Sequence, residues 1–192
     1  MKKTLLLLLL LASSFSIFAQ AEIAIDKANE KGERTIGTKP IDITKFADKT
    51  SLLASVSAIS LIHNGEKNIS YFLDMKIIAL GQIATPAKGK MLLKLSNDEV
   101  ITLESEQGQE DKIGQIEKGL GLTTYRIIPM YSITPQQLEL IASQGVKKIR
   151  IETTGEPIEK EYRKDKLGIA VKQQYALIKE HLSKDKKFSD DF

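Results

Sequence analysis

Leu52-Leu53-Ala54-Ser55-Val56-Ser57-Ala58-Ile59-Ser60-Leu61-Ile62 runs into His63-Asn64-Gly65-Glu66, and Ser70-Tyr71-Phe72-Leu73-Asp74-Met75-Lys76-Ile77-Ile78 follows. Two extended apolar runs separated by Asn-Gly predict a β-hairpin, because both turn residues accept the positive φ of a tight turn. The return run alternates. Tyr71, Leu73, Met75 and Ile77 fall on one face, and Ser70, Asp74 and Lys76 on the other, which is the period of a half-buried strand. Near its end Ile78 and Leu80 make both faces apolar, so the second face there calls for a cover.

Downstream the β pattern continues. Met91, Leu93 and Leu95 alternate with Lys90 and Lys94, Ser96-Asn97-Asp98-Glu99 reads as a turn, and Val100 to Leu103 returns. Glu104 to Lys118 is charged and contains Gly108 and Gly114, the composition of a mobile loop. Leu120 to Ile133 reads as one strand, with Tyr125, Ile127 and Tyr131 opposite Arg126 and Met130. In Ile133-Thr134-Pro135-Gln136-Gln137-Leu138, Thr134 is a predicted N-cap, Pro135 sits at N1, Gln137 completes a capping box, and Ile133 and Leu138 form a hydrophobic staple. Gly145 closes that helix. Val146 to Glu152 resumes a strand, with Ile149 and Ile151 inward and Lys148 and Arg150 outward. Leu167, Val171, Tyr175, Ile178 and Leu182 share one face of a helix expected over 164–184.

Strands first and helices later predict an α+β domain: an antiparallel β-meander sheet of four or five strands, with a short helix and a long C-terminal helix packed on one face. A β-sandwich with peripheral helices is the alternative. Leu120 through Ile151 forms a right-handed βαβ unit if its strands are parallel. Residues 51–185 are expected as a single domain, preceded by a polar, loosely ordered leader over 22–50 and followed by a charged, frayed tail over 186–192.

Residues 1–21 carry two lysines, an unbroken leucine run from Leu5 to Leu11, and small residues at Ala19-Gln20-Ala21. This is the composition of a secretory signal peptide cut after Ala21. Export to the periplasm or the exterior is the expectation, with no transmembrane segment after signal removal. Without Lys2 and Lys3, 26 basic residues face 25 acidic ones, a net charge of +1. That balance gives no long-range field for nucleic acid. The chain has no Cys, so it folds without disulfides, and thiol nucleophiles, zinc-thiolate sites and iron–sulfur clusters are excluded.

Motifs for chemistry are sparse. His63 and His181 are the only histidines. Neither has a ligand at metal-binding spacing, and surface roles are expected for both. There is no G-x-S-x-G nucleophile elbow. Gly119-Leu120-Gly121-Leu122 precedes a strand, and so lacks the helix N-terminus that would hold a phosphate. No cofactor or metal is expected. Asp74 is the one catalytic candidate, because it interrupts an apolar strand and could work as a general acid with Glu110 or Asp111. The alternative is a solvated Asp74 beside Lys76, paired across strands with Lys94. The absence of Trp argues against a sugar cleft. Lys148 and Arg150 share a strand face and are candidates for an interaction with an anionic ligand. The last helix has a Lys-rich polar face, which membrane helices share, but an open sheet face needs covering and packing there is expected.

The signal end Phe18-Ala19-Gln20, the hairpin from Met91 to Leu103, Tyr131 to Ile141 and Gly145 to Arg150 together resemble small uncharacterised exported proteins of Bacteroides-type Gram-negative bacteria, over residues 67–152. The resemblance implies an exported α+β domain with no assigned activity, and it carries over no functional residue. The functional expectation is a non-catalytic exported module binding an unknown protein or small ligand. The leader 22–50, the loop 104–118 and exposed sheet edges are its candidate contacts. A small secreted hydrolase using a carboxylate pair and an envelope-associated structural protein are the competing classes.

Overall fold

The computed structural model of the chain describes residues 20–45, 50–64, 66–110, 112–117 and 122–190. Met1 to Ala19 of the expected signal segment lie outside these residues, as do Asp111 and Gly119-Leu120-Gly121. The strands are β1 Ile23–Ala28, β2 Arg34–Thr38, β3 Ile41–Lys45, β4 Ser51–His63, β5 Glu66–Ala79, β6 Lys90–Leu95, β7 Val100–Glu104, β8 Lys112–Glu117, β9 Leu122–Ile127, β10 Met130–Ile133, β11 Val146–Ile151 and β12 Ile158–Glu161. The helices are α1 Pro135–Gln144 and α2 Leu167–Asp190.

The β4–β5 hairpin is the spine. Its pairing runs unshifted from Ser51↔Ile78 to His63↔Glu66, and Asn64, the first residue after β4, has φ 52°. One flank of β4 is taken by β2 and β3, and one flank of β5 by β9 and β10. β1 and β8 complete an eight-stranded antiparallel sheet. A proline interrupts each flank. On the β5 side Pro129 separates β9 from β10 without changing register, and Met75 N still donates to Pro129 O at 3.0 Å. On the β4 side Lys39-Pro40 bulges away opposite Ser55, between the pairs Gly37↔Ser57 and Ile41↔Ala54. Proline supplies no N–H to a ladder, and two side chains fill the gap. Val56 N donates to Thr38 Oγ1 at 3.0 Å while that hydroxyl donates to Val56 O at 3.1 Å. From α2, Gln174 Nε2 donates to Lys39 O at 3.1 Å and to Ala54 O at 3.0 Å.

Helix α2 reaches this point because β4 presents Ala54 and Ala58 on its inner face, both buried, and small side chains let a helix backbone come close. The periodic residues Leu167, Val171, Tyr175 and Ile178 are all buried, as the helical spacing predicts. Tyr175 meets Tyr71 edge-on, with ring centroids 5.7 Å apart, a favoured aromatic geometry. The last helix therefore covers the sheet. A second antiparallel sheet, β12-β11-β6-β7, adds Met91, Leu93, Leu95, Ile149 and Ile151 to the same core. Helix α1 starts as its sequence predicts. Gln137 N donates to Thr134 Oγ1 at 3.2 Å and Thr134 N to Gln137 Oε1 at 2.9 Å. Gly145 ends it at φ 73°. A Cβ there would fall 2.6 Å from Asp165 Oδ2, and one on Gly168 2.9 Å from Gly145 Cα. The end of α1 and the start of α2 thus meet through two glycines.

The architecture is the expected α+β fold of antiparallel sheet with a short and a long helix packed against it, with several differences in detail. Residues 22–45 form three strands, β1 to β3, in place of a loosely ordered leader. Ile36 and Ile43 are fully buried there; β2 and β3 contribute one such apolar side chain apiece and β1 none, too few for a visible period. Within the loop expected over 104–118, Lys112–Glu117 is β8. The single strand expected from Leu120 is divided at Pro129. No βαβ unit forms: β10 belongs to the large sheet and β11 to the small one, so α1 crosses between sheets. Strand β12 had no period of its own, since its four residues are Ile-Glu-Lys-Glu. Helix α2 continues to Asp190, into the stretch expected as a frayed tail.

Gln174→Leu removes the side-chain donor to the Lys39 and Ala54 carbonyls. It should destabilise the protein by about 2 kcal/mol, and Thr38→Val by about 1 kcal/mol, as measured by urea denaturation.

Candidate functional site

Paired residues of antiparallel strands share a face. On the outward face of the large sheet, register therefore aligns Ser55, Asp74 and Met130 in one row. The next row is Ile25, Gly37, Ser57, Phe72 and Ser132. Ile25 is 37% exposed, Met130 41% and Leu61, farther along the same face of β4, 49%. The face is a mixture of apolar side chains and serine hydroxyls around one carboxylate.

Asp74 is largely buried. Ser57 Oγ donates to its Oδ2 at 2.8 Å, while Oδ1 is buried with no hydrogen-bond partner. Burial pushes its carboxyl from 3.8 up to about 6, opposed by the Ser57 hydrogen bond. The expected ion pair with Lys94 does not form. Lys94 lies in the other sheet, where its Nζ is 2.9 Å from Asp98 Oδ1. Beside the two rows, Phe72, Met130 and Ser132 meet Ser105, Glu106 and Gln107 around a hollow of about 140 Å³. The segment after β7 is tied down there by Ser105 N donating to Gly89 O at 3.0 Å and Ser105 Oγ to Gln107 O at 2.9 Å. The carboxylate beside this hollow is Glu106. Glu110, the expected partner, lines a different hollow of about 300 Å³ with Gln82, Ile83, Ala84 and Thr154.

An acid whose native pKa is raised binds its proton more tightly folded than unfolded, so this group's contribution to stability falls as pH rises. The window runs from the unfolded value of 3.8 to about 6. The loss should reach up to about 3 kcal/mol. Asp74→Asn should abolish that decline and make the protein more stable than wild type at pH 8, as compared in urea melts at pH 4 and pH 8.

Lys148 and Arg150, the candidate interaction pair, share one carboxylate within their own sheet, Glu159. Lys148 Nζ lies 2.7 Å from Glu159 Oε2 and Arg150 Nη1 2.7 Å from Glu159 Oε1. Those two contacts hold the Glu159 carboxyl below its usual range, Lys148 foremost. The two histidines differ. His63 is exposed at the hairpin end, as expected. His181, on α2, is part of a clamp: its Nδ1 is 2.8 Å from Asp26 Oδ2, and Arg34 grips the same carboxylate at 2.6 and 2.7 Å. Arg34 Nη1 also donates to His181 O at 3.3 Å, so the clamp ties edge strand β1 and strand β2 to α2.

The Arg34 hydrogen bond holds the Asp26 carboxyl below the usual range, against the opposing effect of burial. A lowered native pKa stabilises above the unfolded value and is lost as pH falls through it. Asp26→Asn should cost about 1 kcal/mol at neutral pH and flatten the acid limb of the stability profile below pH 3.8.

Asp74 was visible in the sequence as a break in an apolar strand. Ser57, Phe72, Met130, Ser132 and Glu106 were not singled out, although the Asn64-Gly65 turn already implies the pairing of Ser55 with Asp74. Among the described residues no group of three or more His, Asp or Glu side chains is placed to hold a metal ion. Among them, too, no helix is long and apolar enough to cross a membrane. The chain matches no family model, no curated protein and no solved structure.

Proposed function

We propose that the protein is an exported, non-catalytic binding module whose small ligand lies on the outward face of the large sheet, with Asp74 as its polar anchor. The observation that carries this is the carboxylate itself: one oxygen is held by Ser57 and the other has no partner. Keeping a buried acceptor unpaired is unfavourable by roughly 1–3 kcal/mol, and a ligand donor would remove that penalty. Carboxyls with perturbed pKa are enriched at functional sites, and Asp74 stands in the row beside the hollow rather than in its lining. Phe72 and Met130 supply apolar surface, and Ser132 and Gln107 supply short hydrogen-bonding groups around a hollow that accepts only a few heavy atoms. The chemistry that fits is an ammonium or N–H donor on a compact apolar body. Export rests on the composition of residues 1–21.

A second reading has one observation in its favour. A carboxyl at about 6 is suited to general acid work, and Glu106 is the acid at the neighbouring hollow. Hydrolysis would then replace binding as the outcome.

The experiment is a thermal-shift series with primary alkylamines, the matching alcohols and the matching carboxylates, at pH 5 and pH 7.5. Amines should raise the melting temperature, more at pH 7.5 because Asp74 is then ionised. Alcohols and carboxylates should have little effect, and Asp74→Asn should abolish the response. Equal shifts for amines and alcohols, or an unchanged response in Asp74→Asn, would sink the proposal.

A further inference from the structure

The geometry points to a second, independent site: the cleft between β3, the end of β12 and the connection into α2 binds a phosphate-bearing anion. It has a volume of about 500 Å³, and Lys160, Arg163, Lys164 and Lys166 line it against a single carboxylate, Glu161. Arg163, Lys164 and Lys166 make no ion pair among the described residues. Their neighbours Lys148 and Arg150 share the Glu159 carboxylate in the same sheet. Arg163, Lys164 and Lys166 against Glu161 leave a net charge of two, and such a cluster in a concavity attracts a multivalent anion.

The frame is rigid. Tyr162 N donates to Lys147 O at 2.8 Å, fixing one end of the connection. At the other, Asp165 Oδ1 accepts from Gly168 N at 2.7 Å, and its carboxylate is wedged between Gly145 and Gly168. The cations between these anchors are therefore held near one another. Tyr162 also lines the cleft, with its hydroxyl buried. A guanidinium offers a planar fork and ammonium groups act as point charges. A tetrahedral phosphate dianion accepts from all of these directions together, whereas a carboxylate presents only two oxygens. A phosphomonoester is the chemistry that fits, either as a soluble compound or as a lipid headgroup.

The test is a titration of the purified protein, followed by amide chemical shifts, with inorganic phosphate, methyl phosphate, and vesicles of phosphatidic acid or of phosphatidylcholine alone. Phosphate and methyl phosphate should shift amides of residues 160–166 and 43–44, with a Kd of about 1 mM or tighter. The R163Q/K164Q/K166Q variant should bind at least about tenfold more weakly with an unchanged melting temperature, since all three side chains are exposed. Flotation with phosphatidic acid vesicles but not phosphatidylcholine would assign the headgroup, and binding of methyl phosphate without flotation would assign a soluble ester. No shifts at residues 160–166 up to about 10 mM phosphate, or equal binding by the triple variant, would overturn the proposal. Asp74 takes no part in this test, so its outcome is separate from that of the sheet-face site.

Discussion

The gap at Lys39-Pro40 is where sheet and helix become one structure. A ladder interrupted by proline leaves carbonyl groups on both strands without donors, and a buried, unpaired carbonyl is costly. Gln174 is the side chain that reaches them, and it can do so only if α2 lies against Ala54 and Ala58 in one position. The same contact sets Tyr175 against Tyr71 and brings His181 to Asp26 at the outer strand. A purely apolar seam would tolerate sliding of the helix by a turn. An amide that must meet two specified carbonyls does not.

With α2 and the small sheet on the inner face, the two faces of the large sheet have different fates. The inner rows hold Leu73, Met75 and Ile77, all fully buried. The outer rows hold serines, Phe72, Met130 and an acid whose charge is disfavoured where it stands. Nothing in the packing of the core requires Asp74. Its Ser57 hydrogen bond only partly offsets its burial. A destabilising group in a mixed apolar and hydroxyl setting is how binding sites commonly differ from solvated strand faces.

The basic residues divide in a similar way. On β11 each finds a carboxylate across the strand pair, and such a face is a solvated ladder of modest energetic value. At the turn from β12 into α2 the chain leaves the sheet, cross-strand partners run out, and the cations are left facing one another across a cleft.

Much of this was legible in advance. Asn64-Gly65 implies a two-residue turn, and a two-residue turn implies every pair of the β4–β5 hairpin, Ser55 with Asp74 included. Thr134, Pro135, Gln137 and Gly145 specify α1 from end to end. The Leu167 stripe specifies which face of α2 is buried. These are local rules, in which each residue acts on neighbours a few positions away. The leader strands, β8 and β12 obey no such rule, because four to six residues are too few to carry a period; they are strands only because an edge of a sheet was available to pair with. The raised pKa of Asp74, the pairing of Lys148 and Arg150 with Glu159 and the open charge of Arg163, Lys164 and Lys166 belong to the same class. A side chain's charge and solvation depend on what lies within a few ångströms, and those neighbours come from strands and loops far apart along the chain.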